Sequence, residues 1–201
     1  LLTWVANGIV NMAERVMLNS LCVYCGSREG DDPAHRAAAE RLGLVMAERG
    51  IRLVYGGGRV GMMGVIADLV LAHGGHVTGV IPEFLMDLEH GHPDVDELIV
   101  VDSMHERQRR MAELADGFLA LPGGLGTLAE TIEMVNWRKM SLHEKPVAVV
   151  NIGGYWDPLA AMVKGFVGNG FAHPASAELF TMVDSVDAAM AALEAAPGRS
   201  P

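Results

Sequence analysis

The sequence predicts an α/β fold: a Rossmann-like, doubly wound, mostly parallel sheet of about seven strands with helices on both faces. Three observations carry that expectation. Short apolar runs rich in Val, Ile and Leu alternate with helical stretches almost throughout the chain. Most of the runs are continuously apolar rather than alternating, as strands buried on both faces are. The links between them are short, which pairs successive strands in parallel through right-handed crossovers.

Each element has readable ends. Leu21–Cys25 is the first strand. Asp32 then stands as an N-cap with Pro33 at the first helical position, and Gly50 closes that helix. Ile51–Tyr55 is the second strand, and the helix Gly61–Ala72 after it stops at Gly74-Gly75. His76–Ile81 and Leu98–Val101 follow as strands, and Ser103 with Glu106 has the spacing of a capping box for the next helix. Gly117–Leu121 is the fifth strand, after which Thr127 and Glu130 repeat the capping-box spacing ahead of the run to Trp137. Pro146–Asn151 is the sixth strand and Asp157-Pro158 begins another helix. Leu179–Val183 is the seventh, Ser185 caps the last helix and Pro197-Gly198 ends it.

Bulk properties narrow the function. The net charge of -10 sets an average field that repels nucleic acid, yet helix ends can still hold a small anion. Cys22 and Cys25 form C-x-x-C, but an odd separation on a strand sends the two sulfurs to opposite faces, so neither a disulfide nor a zinc site is expected. No run reaches about 18 apolar residues, so no membrane span is expected. The apolar stretch Leu1 to Val10 lacks the basic lead and small-residue cleavage pattern of a secretory signal. Met17 stands just before the first strand, so residues 1–16 are read as an N-terminal extension of uncertain origin and 17–201 as a single domain; the location expected is cytoplasmic.

In open parallel sheets ligands bind beyond the carboxyl ends of the strands, where strand order reverses. That rule selects Gly26-Ser27-Arg28, Gly56 to Gly64, Pro82-Glu83, Asp102 to Arg107 and Pro122 to Glu130. Two of these loops are glycine-rich. Gly56, Gly57 and Gly58 lead into a helix that starts at Gly61, which suits phosphate. Gly56, Gly58 and Gly61 also satisfy G-x-G-x-x-G, with Glu83 placed where a ribose-binding acid would sit. That pattern keeps an NAD-dependent oxidoreductase open, as well as a purely structural turn. The second loop offers Gly123, Gly124, Gly126 and the Thr127 hydroxyl. Two such loops after different strands favour a mononucleotide over a dinucleotide.

Two charged residues stand out, each with a structural alternative. Arg107 lies in the first turn of a helix that follows a strand end, where a guanidinium can grip phosphate or ribose in a bidentate way. It could equally be a solvated basic residue pairing with Glu106 or Glu113. Glu130 is a candidate acid or only the far half of a capping box, with Glu133 one turn on as another candidate.

Pro122-Gly-Gly-Leu-Gly-Thr-Leu-Ala-Glu130 resembles the P-G-G-x-G-T-x-x-E motif of the Lonely Guy (LOG) family of cytokinin riboside 5′-monophosphate phosphoribohydrolases, earlier labelled possible lysine decarboxylases. Val23-Tyr-Cys-Gly-Ser27, Tyr55-Gly-Gly-Gly58 with Gly61-Met-Met-Gly64, Val80-Ile-Pro82, Met104-His-Glu-Arg107 and Gly153-Gly-Tyr155 are similar to family segments in the same order, from about residue 20 to 195. The resemblance implies hydrolysis of the N-glycosidic bond of an adenosine 5′-monophosphate, plain or N6-prenylated, by Arg107 and Glu130. It implies substrate and phosphate contacts from Ser27, Glu89 and the loop from Gly123 to Thr127. It also implies a homodimer, with no metal or redox cofactor required. The chain departs from the family at Gln108, where a Lys is usual, so one cation beside Arg107 is lost; Arg110, which shares a helical face with Arg107, is the residue placed to compensate. The decarboxylase label fails, because none of Lys139, Lys145 and Lys164 follows an early strand where the ligand loops converge. A non-catalytic nucleotide carrier or sensor on the same fold stays open.

Overall fold

The computed structural model describes residues 17–196, so the expected extension 1–16 and the stop at Pro197-Gly198 lie outside the described residues. The elements run β1 (Ser20–Tyr24), α1 (Pro33–Glu48), β2 (Arg52–Tyr55), α2 (Gly61–Ala72), β3 (Val77–Pro82), β4 (Glu97–Val101) and α3 (Met104–Leu114). After them come β5 (Gly117–Ala120), α4 (Leu125–Lys139), β6 (Val147–Val150), α5 (Asp157–Gly168), β7 (Thr181–Val183) and α6 (Val186–Ala195). All seven expected strands are present, within two residues of their predicted ends.

The sheet has the order β4-β3-β2-β1-β5-β6-β7, and every neighbouring pair is parallel rather than mostly so. The chain walks outward from β1 to β4, then returns to lay β5 against the other side of β1. Strand order therefore reverses between β1 and β5, and the crevice beyond their carboxyl ends is where ligands bind in such sheets. One crossover carries no α-helix: β3 joins β4 through a 3-10 turn, Glu83–Leu85, and a loop that runs past Glu89.

The two faces of the sheet make two cores. Leu21, Val23 and Cys25 pack with Leu42 and Met46 of α1, Ile66 of α2 and Met190 of α6. Cys22 and Tyr24 pack with Met111 of α3, Phe118 of β5, Met134 of α4 and Leu159 of α5. The two cysteines are free and sit in opposite cores, as their odd spacing predicts. Each large side chain taken fully out of water contributes roughly 1.5–3 kcal/mol before conformational entropy is set against it.

Most predicted caps hold. Asp32 accepts from the Ala34 N–H at 2.9 Å with Pro33 opening α1, and Ser185 caps α6. Ser103 accepts from the Glu106 N–H at 3.2 Å, but the Glu106 carboxylate reaches the Asp102 N–H and not that of Ser103. The second capping box does not form. Helix α4 begins at Leu125 with Gly124 as N-cap, which puts Thr127 inside the first turn and Glu130 well into the helix. Glycine at the N-cap needs no side-chain oxygen, so the helix starts before the threonine that seemed to announce it.

Candidate functional site

Three loops close on one another at the switch point. The Gly26 N–H donates to the Pro122 carbonyl at 3.1 Å, and the Met62 N–H at the start of α2 donates to the Gly26 carbonyl at 3.1 Å. The crevice above them has a volume of about 600 Å³, and its lining includes Ser27, Arg28, His35, Gly123, Gly124 and Tyr155. Gly123 is required by close approach: a Cβ there would lie 2.1 Å from the Thr127 hydroxyl oxygen. Tyr155 anchors the same loop, donating its hydroxyl to the Gly123 carbonyl at 2.6 Å while its ring meets His35 edge-on at 5.4 Å.

Helix α4 points its amino end at this crevice. Among the described residues, nothing accepts from the backbone N–H groups of Leu125, Gly126 and Thr127, and open space surrounds Gly124 and Gly126. Unpaired donors and the positive end of the helix dipole together favour an anion.

The second part of the site lies further along α4. Arg107 is 5 % exposed. Its Nε donates to the Val80 carbonyl and its Nη2 to the Gly56 carbonyl, both at 3.2 Å. Its Nη1 stands 3.8 Å from Glu130 Oε1 and its Nη2 3.6 Å from Glu89 Oε2. The Glu89 oxygen is buried without a hydrogen-bond partner. One guanidinium thus sits between two carboxyl groups in a poorly solvated place. Burial pushes Glu130 up to about 7, with Glu89 and Glu133 adding to the rise and Arg107 opposing it. Burial also raises Glu89, again against Arg107.

The candidates fall into these two groups. Ser27, Gly123 and Gly124 border the crevice, with Gly126 and Thr127 in the first turn behind them; Thr127 is buried under the loop and does not cap the helix. Arg107, Glu130 and Glu89 form the charged cluster. Gly56, Gly57 and Gly58 lie with the cluster and not on the crevice. All three are buried, and a Cβ on Gly56 would lie 2.0 Å from Arg107 Nη2. Their loop is walled by the segment carrying Glu89: the Arg59 N–H donates to the Glu89 carbonyl at 3.0 Å, and the His92 N–H to the Gly57 carbonyl at 2.9 Å.

The geometry bears on several of the open alternatives. The G-x-G-x-x-G stretch follows β2, one strand away from the switch point, so it does not occupy the position of a dinucleotide loop after β1. Arg107 pairs with neither Glu106 nor Glu113; the surface pairs to Glu113 come from Arg109 and Arg110 at 2.6 and 3.0 Å. The Nε–Nη2 edge of Arg107 is engaged by backbone, which leaves Nη1 as the side facing Glu130 and not a free fork for phosphate. Arg110, tied to Glu113, does not replace the missing cation at Gln108, and Gln108 itself is 3 % exposed and turned inward. Arg107 pairs with Glu130 and not with Glu133. Sequence reasoning assigned Tyr155 no contact; the only signal was its place in Gly153-Gly-Tyr155 after β6.

Among the described residues, no group of three or more His, Cys, Asp or Glu side chains is arranged to hold a metal ion, and no helix is long and apolar enough to cross a membrane.

A family model described as "Possible lysine decarboxylase" matches residues 63–193. Cytokinin riboside 5′-monophosphate phosphoribohydrolase LOG of Oryza sativa subsp. japonica is 45% identical over 157 residues, which are 78% of this chain and 65% of that protein. The LOG7 and LOG1 phosphoribohydrolases of Arabidopsis thaliana are 44% identical over 154 residues and 40% identical over 174 residues. These alignments cover 77% and 87% of this chain and 71% and 82% of the relatives. Among solved structures, the molybdenum cofactor binding protein of Rippkaea orientalis superposes with a TM-score of 0.64 at 23% identity, over 86% of this chain and 93% of that one. The Moco carrier protein of Chlamydomonas reinhardtii gives 0.63 at 22%, over 86% and 93%. At that identity the two structures speak for the fold alone.

Proposed function

The chain belongs to the Lonely Guy (LOG) family, and on that premise we propose that it hydrolyses the N-glycosidic bond of an adenosine 5′-monophosphate, plain or N6-prenylated, to the free base and ribose 5-phosphate. The observation that carries this reading is the placement of Glu130. Its carboxyl group lies 3.8 Å from a buried guanidinium, on the same helix whose open amino end faces the crevice. Six residues of helix rise about 9 Å, so an anion held at Gly124 and a sugar beside Glu130 fit one mononucleotide.

The chemistry follows from charge. Breaking the bond from C1′ to N9 builds positive charge on the ribose, as in glycoside hydrolysis. Glu130 as carboxylate stabilises that charge and takes a proton from the attacking water, whose oxygen ends on C1′; that one proton then passes to the departing base, which carries it in place of the sugar and leaves Glu130 a carboxylate again. The unpaired N–H groups at the start of α4 anchor the 5′-phosphate, so binding energy remote from the reacting carbon orients it. Arg107 holds Glu130 and the ribose side of the site. A decarboxylase would need a Schiff-base lysine here. Lys139 ends α4, Lys145 donates to the Ala112 carbonyl and Lys164 lies on α5, and none lines the crevice.

The test is to incubate the protein with AMP and, separately, with isopentenyladenosine 5′-monophosphate and follow free base by chromatography. Base and ribose 5-phosphate in equal amounts support the reading, and the ratio of rates gives the preference. Stabilisation by AMP on heating with no base released from either nucleotide would replace it with a carrier or sensor.

A cytoplasmic location fits a nucleotide substrate and two buried, unpaired cysteines. A homodimer fits the apolar surface beside the site: Leu125 is 85% exposed, and Ile132 on α4, Met104 at the start of α3 and Leu88 next to Glu89 are exposed too. Sedimentation should give twice the chain mass, and Ile132→Glu should shift it toward the monomer. A wild-type monomer at micromolar concentration would remove the dimer from the proposal.

A further inference from the structure

Gln108 follows Arg107 on α3, yet its side chain is turned into the protein. Its Nε2 donates to the Tyr24 hydroxyl at 3.0 Å and to the backbone carbonyl of Glu130 at 3.2 Å. Tyr24 is itself buried on β1, in the same core as Cys22. One amide thus ties α3 to β1 and to α4, and it meets α4 at the residue that carries the acid. A mid-helix carbonyl already serves the helix ladder, so a second donor on it is a specific tether and not a routine satisfaction of backbone.

We propose that Gln108 is a positioning residue that fixes Glu130 against Arg107 through a neutral, buried amide. The inference rests on Glu130 acting as the carboxylate of the hydrolysis proposed above. Neutrality matters as much as the tether. The charged and titratable groups around Glu130 are Arg107 from α3, Glu89 from the β3–β4 loop, Glu133 from α4 itself, and Cys22, Tyr24 and Cys25 along β1. Arg107 is the one cation among them. A charged donor at position 108 would keep the tether but add a second cation, and would hold the Glu130 carboxyl ionised to lower pH.

Two variants separate tether from charge. Gln108→Leu removes both hydrogen bonds at nearly constant volume. Its plateau kcat with AMP should fall roughly 10-fold, because a small displacement of a reacting group is costly, while KM stays within about threefold and the acid limb of the pH profile does not move down. Gln108→Lys can donate to the same two oxygens. Its acid limb should move down by about one pH unit, and its plateau should lie above that of Gln108→Leu. A folded Gln108→Leu with wild-type kcat, a lowered Tm alone included, overturns the proposal. So does a Gln108→Lys limb at the wild-type pH. If the wild type releases no base at all, the hydrolase reading fails separately. Gln108 is then judged by the Glu130 carboxyl infrared band, isolated by subtracting Glu130→Gln spectra: a midpoint raised in Gln108→Leu, where the carboxyl is no longer held against Arg107, supports the tether, and an unmoved one overturns it.

Discussion

Glu130→Gln lowers kcat for base release by roughly 10²-fold or more while AMP still raises the melting temperature. The loss expected for a general base sets the lower bound, and removal of the charge facing the oxocarbenium-like sugar adds to it. Gln keeps the shape, so α4 and its unpaired N–H groups stay in place and phosphate anchoring survives. Turnover near the wild-type rate would make Glu130 a buried structural residue.

The same residue fixes the pH dependence. Burial lifts Glu130 to about 7, and the mechanism needs the ionised form, so kcat/KM should rise as pH increases through about 7 and flatten above it. An acid limb near 4.5 would show that the carboxyl is better solvated than its surroundings imply. Stability has the opposite sign. A carboxyl whose folded pKa exceeds its unfolded one favours folding at low pH, and that contribution is lost as pH rises through the folded value. Glu130→Gln should therefore melt above the wild type at pH 8, with the difference shrinking toward pH 5. A gain that grows on acidification would contradict the assigned shift.

How much of this was legible in the sequence differs by kind of contact. The strands were readable because a strand buried on both faces must be apolar along its length, as Val147–Val150 and Leu53–Tyr55 are. The start of α4 was not, because Gly124-Leu-Gly126 reads as loop by propensity, while the packing of Thr127 beneath Gly123 carries the helix through it. The site divides the same way. Arg107 and Glu130 were legible as residue types in a motif. Their meeting depends on α3 and α4 packing on the same face of the sheet, and the partners that aim Arg107 are the Val80 and Gly56 carbonyls, which any residue carries. Gln108 shows the limit most plainly: in the sequence it is a cation lost from the ligand side, and in the structure its amide faces the opposite way.

Arg107→Ala should abolish measurable turnover and also destabilise the protein, and the two effects have different origins. The catalytic loss comes from Glu130, which keeps Glu89 and Glu133 as neighbours but loses its opposing cation. Its carboxyl must then move above 7, so any residual activity appears only at higher pH. The stability loss comes from the Val80 and Gly56 carbonyls, left without a donor in a buried place, and from the cavity where the guanidinium lay against Gly56. Removing one partner from a buried charge pair costs about 3–5 kcal/mol; protonation of Glu89 and Glu130 relieves part of it at low pH, so the drop in Tm should be larger at pH 8 than at pH 5. Arg107→Lys tests the geometry: it restores a charge but cannot reach two carbonyls and a carboxylate with a planar fork, so it should recover Tm more than kcat. Near-normal kinetics in Arg107→Ala would mean that Glu130 needs no cation beside it, and the buried arginine would then be a brace between β3, the Gly56 loop and α3 and nothing more.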